Sequence, residues 1–528
     1  MRAARTLQRK QRKQQAREDH LISTFDELRD ISSLCQLLTR NRVNSLNRRQ
    51  PTFFAGGIDM DTLQRGATQA PTRRTLGFFA LFSIAIGVVV GQTSTVSLLQ
   101  GLGLGGQVFF YAFAAALTLH LCNAFTFAEL SLSLPQAGSI STYAEVAVGQ
   151  FPAILAVFAG YVVPAIFGFS AELMLFDSVI SQLFPGIMPN MGWAVLLLGA
   201  LVALHLAGTD VFATVQQALT FIIIAFFVIV GLYVTVGLHP GALAPAQVSA
   251  SFAGEMAIAP VVVLCFWTLI GCEFVTPMVE EAKRPQRDLP RAMVIGLLVV
   301  SAAALVFAWG AAHVLPRSAL LTSVTPHLDV VSAVFGHTGR ILFALIAVTA
   351  SACLANAVLA AVPRMLHGMA LNGQVFPVFK QVSARKGVPV PALLFVAACP
   401  VVGLVWAGGD PGKILPLTIA AAVCWMLVYF LAHVVLLVLR RRRPDLPRPF
   451  RTPFYPLPQV VAMAGLLFVG FNSSPAPELT GPIIMYSGSV LGVFGLVAAV
   501  WVKVFMRQPL FRMPSPVVRA MPDSVTSS

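Results

Sequence analysis

The chain has 528 residues, 57% of them hydrophobic and 11% charged, with a formal net charge of +14. A soluble domain carries about 25% charged residues. This deficit, with a mean hydropathy of +0.78, excludes a water-solvated fold for most of the chain and predicts an all-α integral membrane protein.

Residues 1–76 are polar and basic, rich in Arg, Gln and Asn. They read as a largely disordered cytoplasmic arm. No apolar stretch precedes residue 77, so no cleavable secretory signal is expected. One piece of the arm, HLISTFDELRDISSLCQLL, has amphipathic helical spacing. Contact with anionic lipid headgroups or a regulatory partner is the alternative reading of the arm. Apolar runs of spanning length then follow. Twelve transmembrane helices are predicted near 77–100, 107–134, 142–181, 192–208, 213–238, 258–280, 291–314, 328–362, 390–408, 414–439, 457–473 and 481–503. They make a permease-like domain over 77–503, and 504–528 reads as a short cytoplasmic tail. The ~10-residue alternation of a membrane β-barrel does not occur in the sequence.

Charge tests the count. With the N-terminus inside, 33 of the 36 Lys and Arg fall on inner segments, and Arg317, Arg340 and Lys413 fall outside. Leaving out residues 1–76, the ratio is still 18 to 3, as the positive-inside rule asks. Both termini are therefore expected in the cytoplasm, and a plasma membrane is the expected location. Topology accounts for the net charge, so no nucleic acid is expected as a partner. The seven cysteines, Cys35, Cys122, Cys265, Cys272, Cys353, Cys399 and Cys424, form no CxxC pair, so neither disulfides nor a metal site is expected. His120, His205, His313 and His433 are scattered singly. The sequence holds no G-x4-G-K-[ST], nucleophile elbow or H-E-x-x-H. ATP drive, a cofactor and enzymatic activity are not expected.

The first span reads GFFALFSIAIGVVVGQTSTVSLLQ, with Gly87 and Gly91 four apart and Gln92, Thr93, Ser94 and Thr95 after them. One reading is a small-residue packing face. The other is a broken helix, because backbone groups freed at a break are tolerated only where they line a cavity. The second half-helix would then offer its first amides to an anionic group such as a carboxylate. The sixth span repeats the device. Gly271 interrupts VVVLCFWTLIGCEFVTPM, Pro277 follows, and Glu273 lies inside the run, where a carboxylate costs about 2.5–3.5 kcal/mol on insertion scales. Two interrupted spans, each heading a group of five, point to an inverted-repeat transporter with a site at the breaks.

The run FWTLIGCEFVTPMVEEAKRPQRDLPRA, residues 266–292, resembles the sixth-helix signature of the amino acid–polyamine–organocation permeases. Three further stretches are similar to that family in the same order: AELSLSLPQAGSISTYAEVAVG (128–149), RMLHGMALNGQVFPVFKQVSARKGVPVPALL (364–394) and RRRRPDLPRPFRTPFYPLP (440–458). The resemblance covers about 77–503. It implies a leucine-transporter-like five-plus-five inverted repeat with discontinuous helices 1 and 6, two extra helices, and alternating access. The implied substrates are amino acids, with polyamines and amino alcohols in some branches. Gly87 and Gly91 match the family's glycines of the first helix. Gln92 and Thr93 stand where Ser and Gly are usual, adding side chains where bare backbone normally holds a substrate carboxylate. Trp267 matches the aromatic that gates or stacks on substrate, Ile270 and Gly271 match the break, and Glu273 matches an acid tied to proton or substrate response.

Other residues carry two readings. Trp267 is a gate or plain packing, and its face would hold an ammonium by about 1–2 kcal/mol when desolvated. Glu172, the second acid in mid-span, is either hydrogen-bonded within the bundle or part of a pathway. Asn356, with Cys353 nearby, is a candidate lining residue. Glu129 and Glu145 read as structural. Glu280, Glu281 and Asp288 are expected to pair with Lys283, Arg284, Arg287 or Arg291. A sodium site would call on Thr349 and Ser351, but residues two apart share no helix face. Proton coupling through Glu273 or Glu172, exchange and facilitated diffusion stay open. The reading is secondary active transport of amino acids or related amines. The substrate ammonium would meet break carbonyls and the Trp267 face, and an anionic group would meet the amides near Gly91. The alternative is a non-transporting nutrient sensor that signals through the arm.

Overall fold

A chain without water around it must satisfy its own backbone, and the helix does so within one segment. The computed structural model describes residues 74–237, 258–384, 386–474 and 477–511, and its named elements are all helical. The expected arm up to residue 73 and the tail from 512 lie outside the described residues. In chain order, α1 is Phe78–Gly87 and α2 is Gln92–Gly105. Next come α3 (Val108–Ser133), α4 (Ile140–Val148) and α5 (Gln150–Leu183), the last with a π-helical turn at Phe158–Val162. They are followed by α6 (Gly192–Ala207), α7 (Thr209–Thr235) and α8 (Ile258–Thr268). After a 3-10 stretch, Cys272–Met278, come α9 (Pro285–Ala312), the short α10 (Arg317–Thr322) and α11 (Pro326–Leu371). The last four are α12 (Val390–Ala407), α13 (Ile414–Arg442), α14 (Leu457–Phe471) and α15 (Pro477–Val500).

Among the described residues, nine helices are long and apolar enough to cross a membrane, or ten if α1 and α2, bent by 59°, form one broken span. Helices α6 and α14 are apolar but shorter, at 16 and 15 residues. Outward-facing apolar side chains such as Phe471 (87% exposed) and Val405 (78%) mark a surface suited to lipid. The protein is an integral membrane protein.

Several predicted boundaries are corrected. The third span does not start at 142, because Gly149, at φ 107°, separates α4 from α5. The sixth is α-helical only to Thr268 and continues as a 3-10 stretch containing Pro277, which has no N–H to donate. Helix α9 starts at Pro285 rather than near 291. Pro in the first turn and Asp288 one turn in both suit a helix start. Helix α11 kinks at Gly336 (φ 58°) and runs on to Leu371.

Polar fastenings hold the bundle at places where sequence distance is large. Glu129 of α3 is fully buried. It accepts two hydrogen bonds from Arg440 (2.8 and 2.6 Å) and one from Thr452 N (2.7 Å), with Arg448 Nε at 3.5 Å. Asp177 of α5 accepts from the backbone N–H of Met191, Trp193 and Ala194 at 3.0–3.2 Å and so caps α6. Glu281 pairs with Arg364 (Nε to Oε1, 2.5 Å). This corrects the expectation of a neighbour among residues 283–291, because the end of α11 presents the nearer cation. Leu76 N donates to Glu281 O (3.1 Å) and Lys283 N to Leu76 O (2.9 Å), which lays the entry to α1 beside the exit of the sixth span.

Candidate functional site

Both interrupted spans break against each other. Helix α1 ends at Gly87, and α2 begins after Gly91, which has extended backbone (φ −62°, ψ 161°). Gly91 is also tight for space: a Cβ there would strike Leu354 and come within 3.2 Å of Glu172 Oε2. In the sixth span the chain turns at Gly271, whose φ of 133° is a region that side-chain-bearing residues rarely enter. A Cβ on Gly271 would lie 2.6 Å from Val88 Cβ in the first break. Glycine is required there for conformation and for contact alike.

A narrow cavity lies where the breaks meet. Val88 and Ile270 of the two breaks line it, with Trp267 of α8 and Trp425 of α13, and Tyr161 and Phe169 of α5. Its free volume is about 20 Å3, enough for about one water molecule. An amino acid or amine would enter only if these walls separated. Trp267 and Trp425 meet edge to face at 6.3 Å. Trp267 Nε1 and Tyr161 Oη are buried and have no hydrogen-bond partner among the described residues.

Two buried acids flank this region, and neither has a cation within salt-bridge distance among the described residues. Glu273 accepts from Trp425 Nε1 (3.0 Å) and Tyr429 Oη (2.7 Å), so it holds one wall of the cavity in place. Glu172 reaches from α5 to the start of α2. There it accepts from Gln92 N (2.9 Å), Thr93 N (2.9 Å), Thr93 Oγ1 (2.8 Å) and Ser351 Oγ (2.6 Å). The amides expected to meet an anionic substrate group are therefore bonded to a carboxylate of the protein itself. The side chains once expected to donate to substrate are engaged too. Gln92 Nε2 donates to Ser351 Oγ (2.7 Å), and Gln92 Oε1 accepts from His327 Nε2 (3.2 Å).

Of the expected residues, Gly91, Gln92, Thr93 and Glu172 come together at the start of α2. Trp267 and Ile270 line the cavity, and Gly271 backs it. Gly87 and Asn356 do not join them. Gly87 packs against Gln216, and Asn356 Nδ2 donates to Gln216 Oε1 (2.8 Å) and Phe212 O (3.2 Å). They belong to a separate polar cluster beside α7, completed by the contact of Gln216 Nε2 with Cys353 Sγ. Thr349 is exposed and donates to Leu345 O, whereas Ser351 is buried against Glu172; the two face different ways. Trp425, Tyr429, Tyr161 and His327 were not foreseen. Trp425 and Tyr429 are four apart and so share a helix face, a signal that was present in the sequence.

The amino acid permease family model matches residues 76–497. The chain is 25% identical over 410 residues to the serine/threonine exchanger SteT of Bacillus subtilis, covering 75% of this chain and 90% of that protein. It is 24% identical over 435 residues to the b(0,+)-type amino acid transporter 1 of Mus musculus, covering 77% and 84%. The branched-chain amino acid permease BcaP of Bacillus subtilis is 24% identical over 444 residues, covering 78% and 90%. Among solved structures, the nucleobase-cation-symport-1 family transporter Mhp1, closed with bromovinylhydantoin bound, is similar in fold. Its TM-score is 0.50 at 16% identity, over 84% of this chain and 96% of that one. With the family model matched from ahead of α1 into α15, the chain belongs to the amino acid permease family.

Proposed function

We propose that the protein is a secondary transporter of amino acids or related amines that works by alternating access. The observation that carries the reading is the meeting of two broken spans, Val88 against Gly271, beside a closed aromatic cavity. Breaks in spanning helices are costly unless they serve a site. The relatives quoted above are named as an exchanger, a transporter and a permease, which favours amino acid cargo and lends the sensor reading no support. In this proposal α6 and α14 complete twelve spans, and the first ten form a five-plus-five inverted repeat. Both termini are cytoplasmic in a plasma membrane, residues 1–76 form a cytoplasmic arm, and the domain of 77–503 carries transport. Glu273 is the candidate coupling residue, because a proton on it changes how it holds Trp425 and Tyr429 and therefore the cavity wall.

The test is uptake of labelled amino acids and amines into proteoliposomes, with and without an inward proton gradient, by wild type and Glu273→Gln. Gradient-driven uptake that loses its drive in the variant supports transport coupled through Glu273. Uptake indifferent to both keeps transport and removes Glu273 from coupling. No uptake by folded protein overturns the proposal.

A further inference from the structure

The start of α2 is suited to an anionic group, and it is filled from within. A backbone N–H donates one hydrogen, and those of Gln92 and Thr93 both end on Glu172. Thr93 Oγ1 and Ser351 Oγ donate to the same carboxylate. A second carboxylate brought to this point would stand beside Glu172 with no cation between them, and like charges so placed cost several kcal/mol. Leu354 adds a steric barrier, because it lines the cavity and also packs against Gly91.

The cavity walls offer something different. The rings of Trp267, Trp425 and Tyr161 surround the free space, and aromatic faces attract a desolvated ammonium. Tyr161 Oη and Trp267 Nε1 have no partner among the described residues, although Tyr161 is 1% and Trp267 7% exposed. Buried polar groups of this kind are normally bonded. The hydroxyl can accept from an ammonium, and the indole N–H can donate to an acceptor such as a substrate hydroxyl.

We infer that the site takes amines whose second polar group is uncharged, such as amino alcohols, and excludes those with a free α-carboxylate, because Glu172 fills the carboxylate position at the start of α2. This rests on the transport reading above and narrows its substrate class. Glu172 is then a specificity-determining residue that acts by filling a subsite.

Matched probes test it: leucine against leucinol, and phenylalanine against phenylalaninol, titrated calorimetrically into the purified full chain. Binding avoids the passive leak of neutral amines across vesicles. Each alcohol is expected to bind at least about 10-fold more tightly than its acid, and Glu172→Ala is expected to shrink or reverse that ratio. An acid that binds wild type as well as its alcohol overturns the inference and leaves the transport reading intact. Unchanged discrimination in a folded Glu172→Ala protein also overturns it. Binding of neither member of either pair overturns the amino acid and amine reading itself. Should the variant fail to fold, the wild-type ratios decide alone.

Discussion

At the scale of single residues, the site depends on donors converging on buried carboxylates. Glu273 has two, Trp425 Nε1 and Tyr429 Oη, so either loss leaves a buried oxygen short of a partner. Tyr429→Phe is expected to lower stability in detergent by about 1–3 kcal/mol. Trp425→Phe should do the same, and the double variant should depart from additivity because both act on one carboxylate. Melting temperatures for the three proteins check this, and strict additivity would mean that the two bonds are independent. Gly271 is exacting in another way. Gly271→Ala adds a Cβ at φ 133°, 2.6 Å from Val88 Cβ, and should cost about 2–5 kcal/mol from backbone strain and overpacking together. Thermal unfolding of the variant measures it, and a loss below about 1 kcal/mol would mean that the break relaxes freely.

At the scale of elements, α5 serves as a rail of carboxylates. Glu172 caps α2 and Asp177, five residues on, caps α6, and neither helix start has a cap from its own flanking residue. Asp177→Ala is expected to cost about 1–2 kcal/mol. It should raise amide exchange in the first turn of α6 while leaving α2 protected, and exchange rising equally in both helices would contradict separate caps. These caps also show why some of the site was legible and some was not. Glycine and proline punctuate a helix locally, so both breaks could be read from Gly87–Gly91 and Gly271–Pro277. The partner of a mid-span acid is set by packing across about 80 positions, and nothing near Glu172 names Gln92 or Thr93. The surroundings of Asn356 were hidden for a related reason. A lone amide on an apolar helix shows that it needs a partner but not on which side, and here Gln216 supplies it away from the cavity. Among the charged motifs, R-P-D-L-P-R was recognisable as a unit. Its use, bringing Arg448 to the Glu129 that Arg440 of α13 also binds, appears only once α3, α13 and the segment after it are side by side.

At the scale of the whole molecule, the polar ties sit around an apolar body whose outer side chains suit lipid. Glu129 binds two arginines, Arg440 and Arg448. Glu129→Ala leaves Arg440 and Arg448 without their buried anion and is expected to cost about 3 kcal/mol, measured as lost thermal stability of the detergent-solubilised protein. A variant as stable as wild type would make the clamp dispensable. Glu145, outside the spanning helices, gives a pH signature. Burial holds its carboxyl above the ordinary 4.5, although Gln150 and Asn372 donate to it and act the other way. The folded state therefore favours its protonated form. The associated stability is complete below the ordinary value and is lost as pH rises through the raised one. Wild type should lose stability relative to Glu145→Gln as pH is raised from about 4 upward, and a gap widening in favour of wild type would contradict the burial argument.

The pairing of Leu76 with Glu281 and Lys283 has a mechanical consequence. Main-chain bonds on both sides of Leu76 make the entry to α1 and the exit of the sixth span one lever arm, so neither can swing alone without breaking them. Arg364 grips Glu281 and sets the pivot of that arm on α11. Arg364→Ala is therefore expected to loosen that arm from α11 while Leu76 keeps its main-chain bonds to Glu281 and Lys283, and amide exchange at residues 76 and 283 that rises to the level of an unbonded amide would contradict it.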